Sequence, residues 1–251
     1  MRHLFGGPAR TATRAGIRPA IALAAVCAAV RWLGASSRAD ARTTLDVAVP
    51  SHGASVFFAP PEEDAGAKPP LRIAFLHGMC SDAQASCEAV RDLAGTRGAL
   101  VCPTGNGVCG GWADWKGEGE EKAAHVDASL DAAWGKLGVK ARGDEVLIGF
   151  SRGAFVARDV AYARPGRFKV LVLIGAATIP DAKLLLQNGI HRVVLASGDY
   201  DPARRTMERA ARELGAAGLP TKYVHLGPFG HALPRDLDRT LGPTLDWALA
   251  D

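Results

Sequence analysis

GFSRGAF, residues 149–155, follows the apolar run DEVLI (144–148) and opens RGAFVARDVAYAR (152–164), so a short strand gives way to a helix at Ser151. Gly149 and Gly153 stand two positions on either side of that serine. A strand-to-helix turn this tight thrusts its central side chain away from its neighbours. It also holds the backbone in a crowded conformation, in which side chains two positions away would collide. Glycine removes them, and the unpaired N–H groups of the new helix are left facing whatever approaches the serine.

The surrounding sequence supplies the frame for such a turn. LRIAFLHG (71–78), ALVCPTG (99–105), KVLVLIGAA (169–177), HRVVLAS (191–197) and TKYVHLG (221–227) read as strands. Stretches of helical character separate them: ASCEAVRDLAGTRG, EEKAAHVDASLDAAWGKLG, DPARRTMERAARELGAAG and PRDLDRTLGPTLDWALA. Continuous apolar strands alternating with helices predict an α/β fold with a mostly parallel sheet covered on both faces. TLDVAVP and ASVFFAP predict a strand pair ahead of it, closed by the turn-rich PPEEDAGAKPP. With 251 residues, 48% hydrophobic and 22% charged, the chain can bury a sizeable core.

The first 41 residues are not expected to be part of that core. Arg2, Arg10, Arg14 and Arg18 precede an uncharged run from Ala20 to Val30, small residues follow, and no acid appears before Asp40. That order predicts a secretory signal or leader over 1–41 and a folded domain over 42–251. An amphipathic transit peptide and an uncleaved anchor are the alternatives; the run is short for a bilayer span, and bulky Val26 disfavours lipid attachment at Cys27. A secreted or periplasmic protein without a stable membrane span is expected.

Six of the 30 Lys and Arg residues lie before Asp40, leaving 24 bases against 26 acids, a net charge of about −2. The apparent basicity belongs to the leader, so nucleic acid is not an expected partner. Cys80, Cys87, Cys102 and Cys109 are disulfide candidates in an oxidising compartment, with Cys80–Cys87 and Cys102–Cys109 the preferred pairing and cross-pairing between the two segments the alternative. No dinucleotide fingerprint and no metal-ligand spacing stands out, so neither a metal nor a cofactor is expected.

In a parallel sheet the functional groups gather on loops beyond the carboxyl ends of the strands. Ser151, Asp201 or Asp199, and His231 satisfy that rule in chain order. His225 lies inside its strand. Asp201 precedes Pro202 at a helix start, where it also reads as an N-cap.

GFSRG, with its strand and helix, matches the G-x-S-x-G elbow, and from about residue 45 onward the chain resembles the α/β-hydrolase superfamily. The resemblance implies a nucleophilic Ser151, a general base His231, and an orienting carboxylate, Asp201 in preference to Asp199 because GDYD supplies a G-x-x-D turn. It also implies backbone donors from Met79, in FLHGMC, and from Arg152. His77 is then a structural brace. Only TIPDAKLLLQNGI separates two late strands, so no cap domain is expected. In this respect the chain is similar to the capless carboxylesterase and acyl-thioesterase branch, with Arg152 where that branch usually has glutamine. The implied activity is hydrolysis of small-molecule esters or thioesters through an acyl-enzyme; a peptidase or a silent binding fold are the alternatives. Trp112 and Trp115, in the irregular TGNGVCGGWADWKGEGEE, either line an acyl pocket or cover the end of the core. Glu118, Glu120 and Glu121 read as a solvated helix start.

Overall fold

The computed structural model describes residues 71–95, 97–138 and 145–250, together with the backbone pairing of two earlier strands, 45–49 and 54–59. The expected leader and the PPEEDAGAKPP turn lie outside the described residues. Everything described falls within one unit, Asp40–Asp251.

An eight-stranded sheet runs in the order β1-β2-β4-β3-β7-β8-β9-β10. β1 (Leu45–Val49) and β2 (Ala54–Ala59) form an antiparallel pair at one edge. β2 joins β4 (Gly98–Pro103) antiparallel, and from there β3 (Leu71–Leu76), β7 (Glu145–Phe150), β8 (Phe168–Ile174), β9 (Arg192–Ser197) and β10 (Thr221–His225) continue in parallel.

Strand periodicity sorts the core into two layers. Ile73, Phe75, Leu100, Cys102, Val146, Ile148, Val172 and Val194 point to the face covered by α1 (Ala83–Ala94) and α6 (Leu237–Leu249). Ala74, Leu76, Val101, Leu147, Leu171, Leu173 and Leu195 point to the other. There α2 (Gly119–Leu137), α3 (Arg152–Ala163) and α5 (Arg204–Ala216) bury Val126, Leu130, Val156, Val160 and Met207. Fully burying each large side chain contributes about 1.5–3 kcal/mol, which is why these central strands carry almost no polar residue.

Ion pairs hold the edge of the sheet remote from the strand ends that carry Ser151. Buried Glu145, at the start of β7, accepts from Arg72 at 2.7 Å and from Arg167 at 3.2 Å; Arg167 also reaches Asp127 and Asp131. Breaking such a buried set leaves an uncompensated charge, so it fixes the strand starts firmly.

Two elements depart from the sequence expectation. The stretch TIPDAKLLLQNGI contains a short helix, α4 (Ala182–Gln187), capped by Asp181 through the Leu184 amide. The irregular segment after β4 contains a hairpin, β5 (Gly107–Cys109) with β6 (Trp112–Asp114), turned by Gly110 and Gly111, both at positive φ. A two-glycine turn is a hairpin signal, hidden here because its strands have three residues each. The Glu118–Glu121 cluster opens α2: the Glu118 amide donates to Glu121, and Glu120 pairs with Arg164. Among the described residues nothing folds as a cap, and no helix is long and apolar enough to cross a membrane.

The disulfides correct the preferred pairing. Cys87 joins Cys102, and Cys80 joins Cys109. Cys87 lies on the buried face of α1 and Cys102 on the same side of β4, so both enter one core layer. Cys80 lies on the loop after β3, where Ser81 pairs with Ala113 of the hairpin and brings Cys109 alongside. A Cys80–Cys87 bridge would require Cys87 to leave the core.

Candidate active site

Ser151 lies between β7 and α3 with φ 54° and ψ −122°, a region that a residue with a side chain rarely adopts and that costs about 1–3 kcal/mol. Its amide donates to the Ile174 carbonyl at 2.8 Å, which locks the turn against β8. A Cβ at Gly153 would fall 2.1 Å from the Leu76 carbonyl oxygen, and one at Gly149 would fall 2.4 Å from that of Gly153. The glycine bracket is therefore steric: α3 starts hard against the end of β3.

His231, on the loop after β10, meets Ser151 Oγ through Nε2 at 2.7 Å and Asp201 Oδ2 through Nδ1 at 2.9 Å. A carboxylate has no proton to give, so Nδ1–H donates to Asp201 and Nε2 is the acceptor facing the hydroxyl. The Asp201 side chain is 2% exposed and that of His231 42%. The carboxylate is thus withdrawn from water, where its pull on the imidazole is strongest, while the imidazole remains open to solvent. The other carboxylate oxygen of Asp201 accepts from the Ala203 amide at 2.8 Å. The aspartate thereby holds the turn before α5 with one oxygen and the histidine with the other.

Phe150 supports the imidazole from one side, its ring stacked at 5.1 Å and 27°. Gly175, at the end of β8, also packs against the site. Its φ is 62°, and a Cβ there would lie 3.0 Å from Asp201 Oδ2 and 3.1 Å from the His231 ring. The signal was available in the glycine that ends the run KVLVLIG.

Asp199 goes elsewhere. It faces His225 Nδ1 at 3.3 Å and Arg204 at 3.8 Å, in a more exposed group away from Ser151. His225 ends β10 and packs edge-on against Tyr223.

The loop after β3 lies against the elbow. A Cβ at Gly78 would be 3.4 Å from that of Ser151. Next along the chain, Met79 is exposed, with its sulfur 3.6 Å from the Arg152 guanidinium. Arg152 then reaches across to the Trp115 carbonyl at 2.9 Å and the Asp114 carboxylate at 3.3 Å. Buried His77 braces the loop: its Nε2 accepts from the Gly105 amide at 3.0 Å, so Nδ1 carries the proton and donates to the Gly78 carbonyl. Burial holds its pKa below the ordinary imidazole value, which keeps the brace uncharged.

The tryptophans separate. Trp115 is fully buried and donates from Nε1 to the His77 carbonyl at 2.9 Å, so it is a core residue and lines no pocket. Its large ring fills the space beneath the glycine-rich loop, where an open pocket had been the alternative. Trp112 is half-exposed on the hairpin. Together with Met79, Val108, Tyr200 and Phe229 it puts exposed apolar surface on the loops that follow β3, β4, β9 and β10.

No protein-family model and no curated protein matches the sequence. Solved structures match at the level of fold. An esterase, PE8, is 23% identical with a TM-score of 0.58, over 76% of this chain and 97% of its own. The Bacillus cereus carboxylesterase is 17% identical with a TM-score of 0.59, over 78% and 94%. A fluorophosphonate-binding serine hydrolase of Staphylococcus aureus, FphF, is 15% identical with a TM-score of 0.59, over 83% and 98%. Sheet order, flanking helices and these neighbours agree on the α/β-hydrolase fold.

Proposed function

We propose that this chain, which has the α/β-hydrolase fold, is a serine hydrolase that cleaves carboxylic esters or thioesters and works in an oxidising compartment outside the cytosol. The observation that carries the reading is the unbroken hydrogen-bond chain from Ser151 through His231 to Asp201, opening on solvent at the hydroxyl end. The names of the fold neighbours, two esterases and a serine hydrolase, support the same chemistry. The two disulfides support the compartment.

In this reading His231 Nε2 takes the Ser151 proton as Oγ attacks the ester carbonyl, and the Met79 and Arg152 amides receive the negative charge that forms on its oxygen. The resulting imidazolium, stabilised by Asp201, returns the proton to the departing alcohol or thiol. Water then repeats the sequence on the acyl-enzyme, releasing the acid and restoring the hydroxyl. The exposed apolar side chains on the surrounding loops favour substrates with apolar groups.

A fluorophosphonate probe should label the wild-type chain at one site, and Ser151→Ala should abolish that label. Stoichiometric labelling of Ser151→Ala would reject the nucleophile. A panel of esters, thioesters and peptides then separates ester chemistry from peptide cleavage.

The Cys80–Cys109 bridge gives a second test. Cys80 follows Met79 directly and has φ 48°, a left-handed conformation that a non-glycine residue keeps only when held there. Its bridge and the Ser81–Ala113 pairing hold it. Removing either bridge frees a loop worth roughly 3–4 kcal/mol of denatured-chain entropy. Cys80→Ser with Cys109→Ser, and Cys87→Ala with Cys102→Ala, should therefore both lower the Tm by several degrees. Only the first pair should also lower kcat, by about tenfold to a hundredfold, because it displaces the Met79 amide. Steady-state kinetics on the two double variants at a temperature where both are folded reads the difference.

A further inference from the structure

A crevice of about 260 Å³ lies at the rim of the sheet, lined by Ser81, Asp82, Ala85, Ser86, Ala89, Phe150 and Leu233. Ala85 and Ala89 are one turn apart on α1, and their short side chains leave the space that larger residues would fill. The polar groups of the wall make bonds within it. The Ser81 and Ser86 hydroxyls bond each other at 2.6 Å, and Asp82 accepts from the Ala85 amide at 3.0 Å. What remains for an occupant is mainly apolar, contributed by Phe150, Leu233 and the two alanines. The space falls below the roughly 300–1,000 Å³ of a site that encloses a whole drug-sized ligand, so it suits one part of a molecule.

Its position decides which part. Phe150 has His231 stacked on its ring, and Leu233 follows His231 by two residues, so the crevice lies next to the imidazole with the Phe150 ring as the wall they share. An imidazole that returns a proton to a leaving oxygen must have that oxygen beside its Nε2. A group attached to that oxygen and directed past the histidine would reach Phe150 and Leu233. We infer that this crevice binds the alcohol half of the ester substrate and selects a compact apolar alcohol, an aryl or short alkyl group. The inference rests on the triad reading of Ser151 and His231 and adds to it the side on which the leaving group lies.

Two ester series test it. In one the acyl group stays acetyl while the alcohol runs from methyl through butyl to benzyl. In the other the alcohol stays methyl while the acyl chain lengthens. For the wild type, kcat/KM should rise by about fourfold for each methylene that enters the crevice in the first series. Ala89→Phe, which fills the crevice, should lower the benzyl-to-methyl ratio at least tenfold. Leu233→Ala, which widens it, should shift preference toward bulkier alcohols such as 2-naphthyl. The acyl series should keep its wild-type slope in both variants.

Because the two substitutions act in opposite directions on a ratio, a general loss of folded protein cannot imitate the pattern. Collapse of the acyl series in Ala89→Phe would overturn the assignment, since the crevice would then hold the acid half. Unchanged ratios in both variants would overturn it as well. Absence of hydrolysis of any ester by the wild type would instead reject the hydrolase reading beneath it.

Discussion

Replacing Ser151 with alanine is expected to lower kcat by about 10⁵–10⁶-fold while leaving the melting temperature nearly unchanged. The hydroxyl makes one contact that folding could notice, the 2.7 Å bond to His231, and that bond is at the solvent edge of the site. The elbow itself is held by backbone, through Ser151 N–H to Ile174 and the contacts of Gly149 and Gly153, none of which needs the hydroxyl. His231→Ala should cost a similar factor, and the double variant little more than either single one. The residues act as a unit, and the residual rate then comes from binding and the amide donors alone. Steady-state kinetics with a small activated ester, alongside thermal melts, checks both. Retention of most activity by His231→Ala would transfer the base role to His225 and undo the triad.

The second large effect separates the two aspartates. Asp201→Asn should lower kcat by about 10⁴-fold, against less than threefold for Asp199→Asn. Asparagine at position 201 can present its amide N–H₂ to His231 Nδ1, which moves the imidazole proton to Nε2 and removes the acceptor that Ser151 needs. Its carbonyl can still accept from Ala203, so the turn before α5 survives and the loss is chemical. Asp199 holds His225 and Arg204 in a partly exposed cluster, where such pairs contribute under about 1 kcal/mol. Equal losses from the two substitutions would remove Asp201 from its assigned role.

Much of this arrangement was legible in the sequence because each feature has a local cause. The strands are continuous apolar runs, the helices alternate with them, and the two glycines around Ser151 mark a turn that admits no side chain at those positions. The preference for Asp201 over Asp199 came from the resemblance to the α/β-hydrolase superfamily, whose acid commonly falls in a G-x-x-D turn. What the sequence hid was set by contacts between distant segments. Cys87 pairs with Cys102 because both face one core layer, a fact of packing that no spacing encodes. Trp115 is in the core because its indole N–H reaches the His77 carbonyl, far away along the chain. Gly175 meets Asp201 and His231 only after three strand ends have come together. The β5–β6 hairpin has three-residue strands, which carry too little alternation to mark it.

The disulfides are nested: Cys87–Cys102 is enclosed by Cys80–Cys109, with separations of 15 and 29 residues. A chain delivered amino end first into an oxidising space presents Cys80 and Cys87 together before either native mate has emerged. Where that first pair bonds, thiol exchange must undo it before the inner and outer bridges close. Yield of active protein should therefore depend on disulfide isomerase more steeply than for a chain whose cysteines pair in order of appearance.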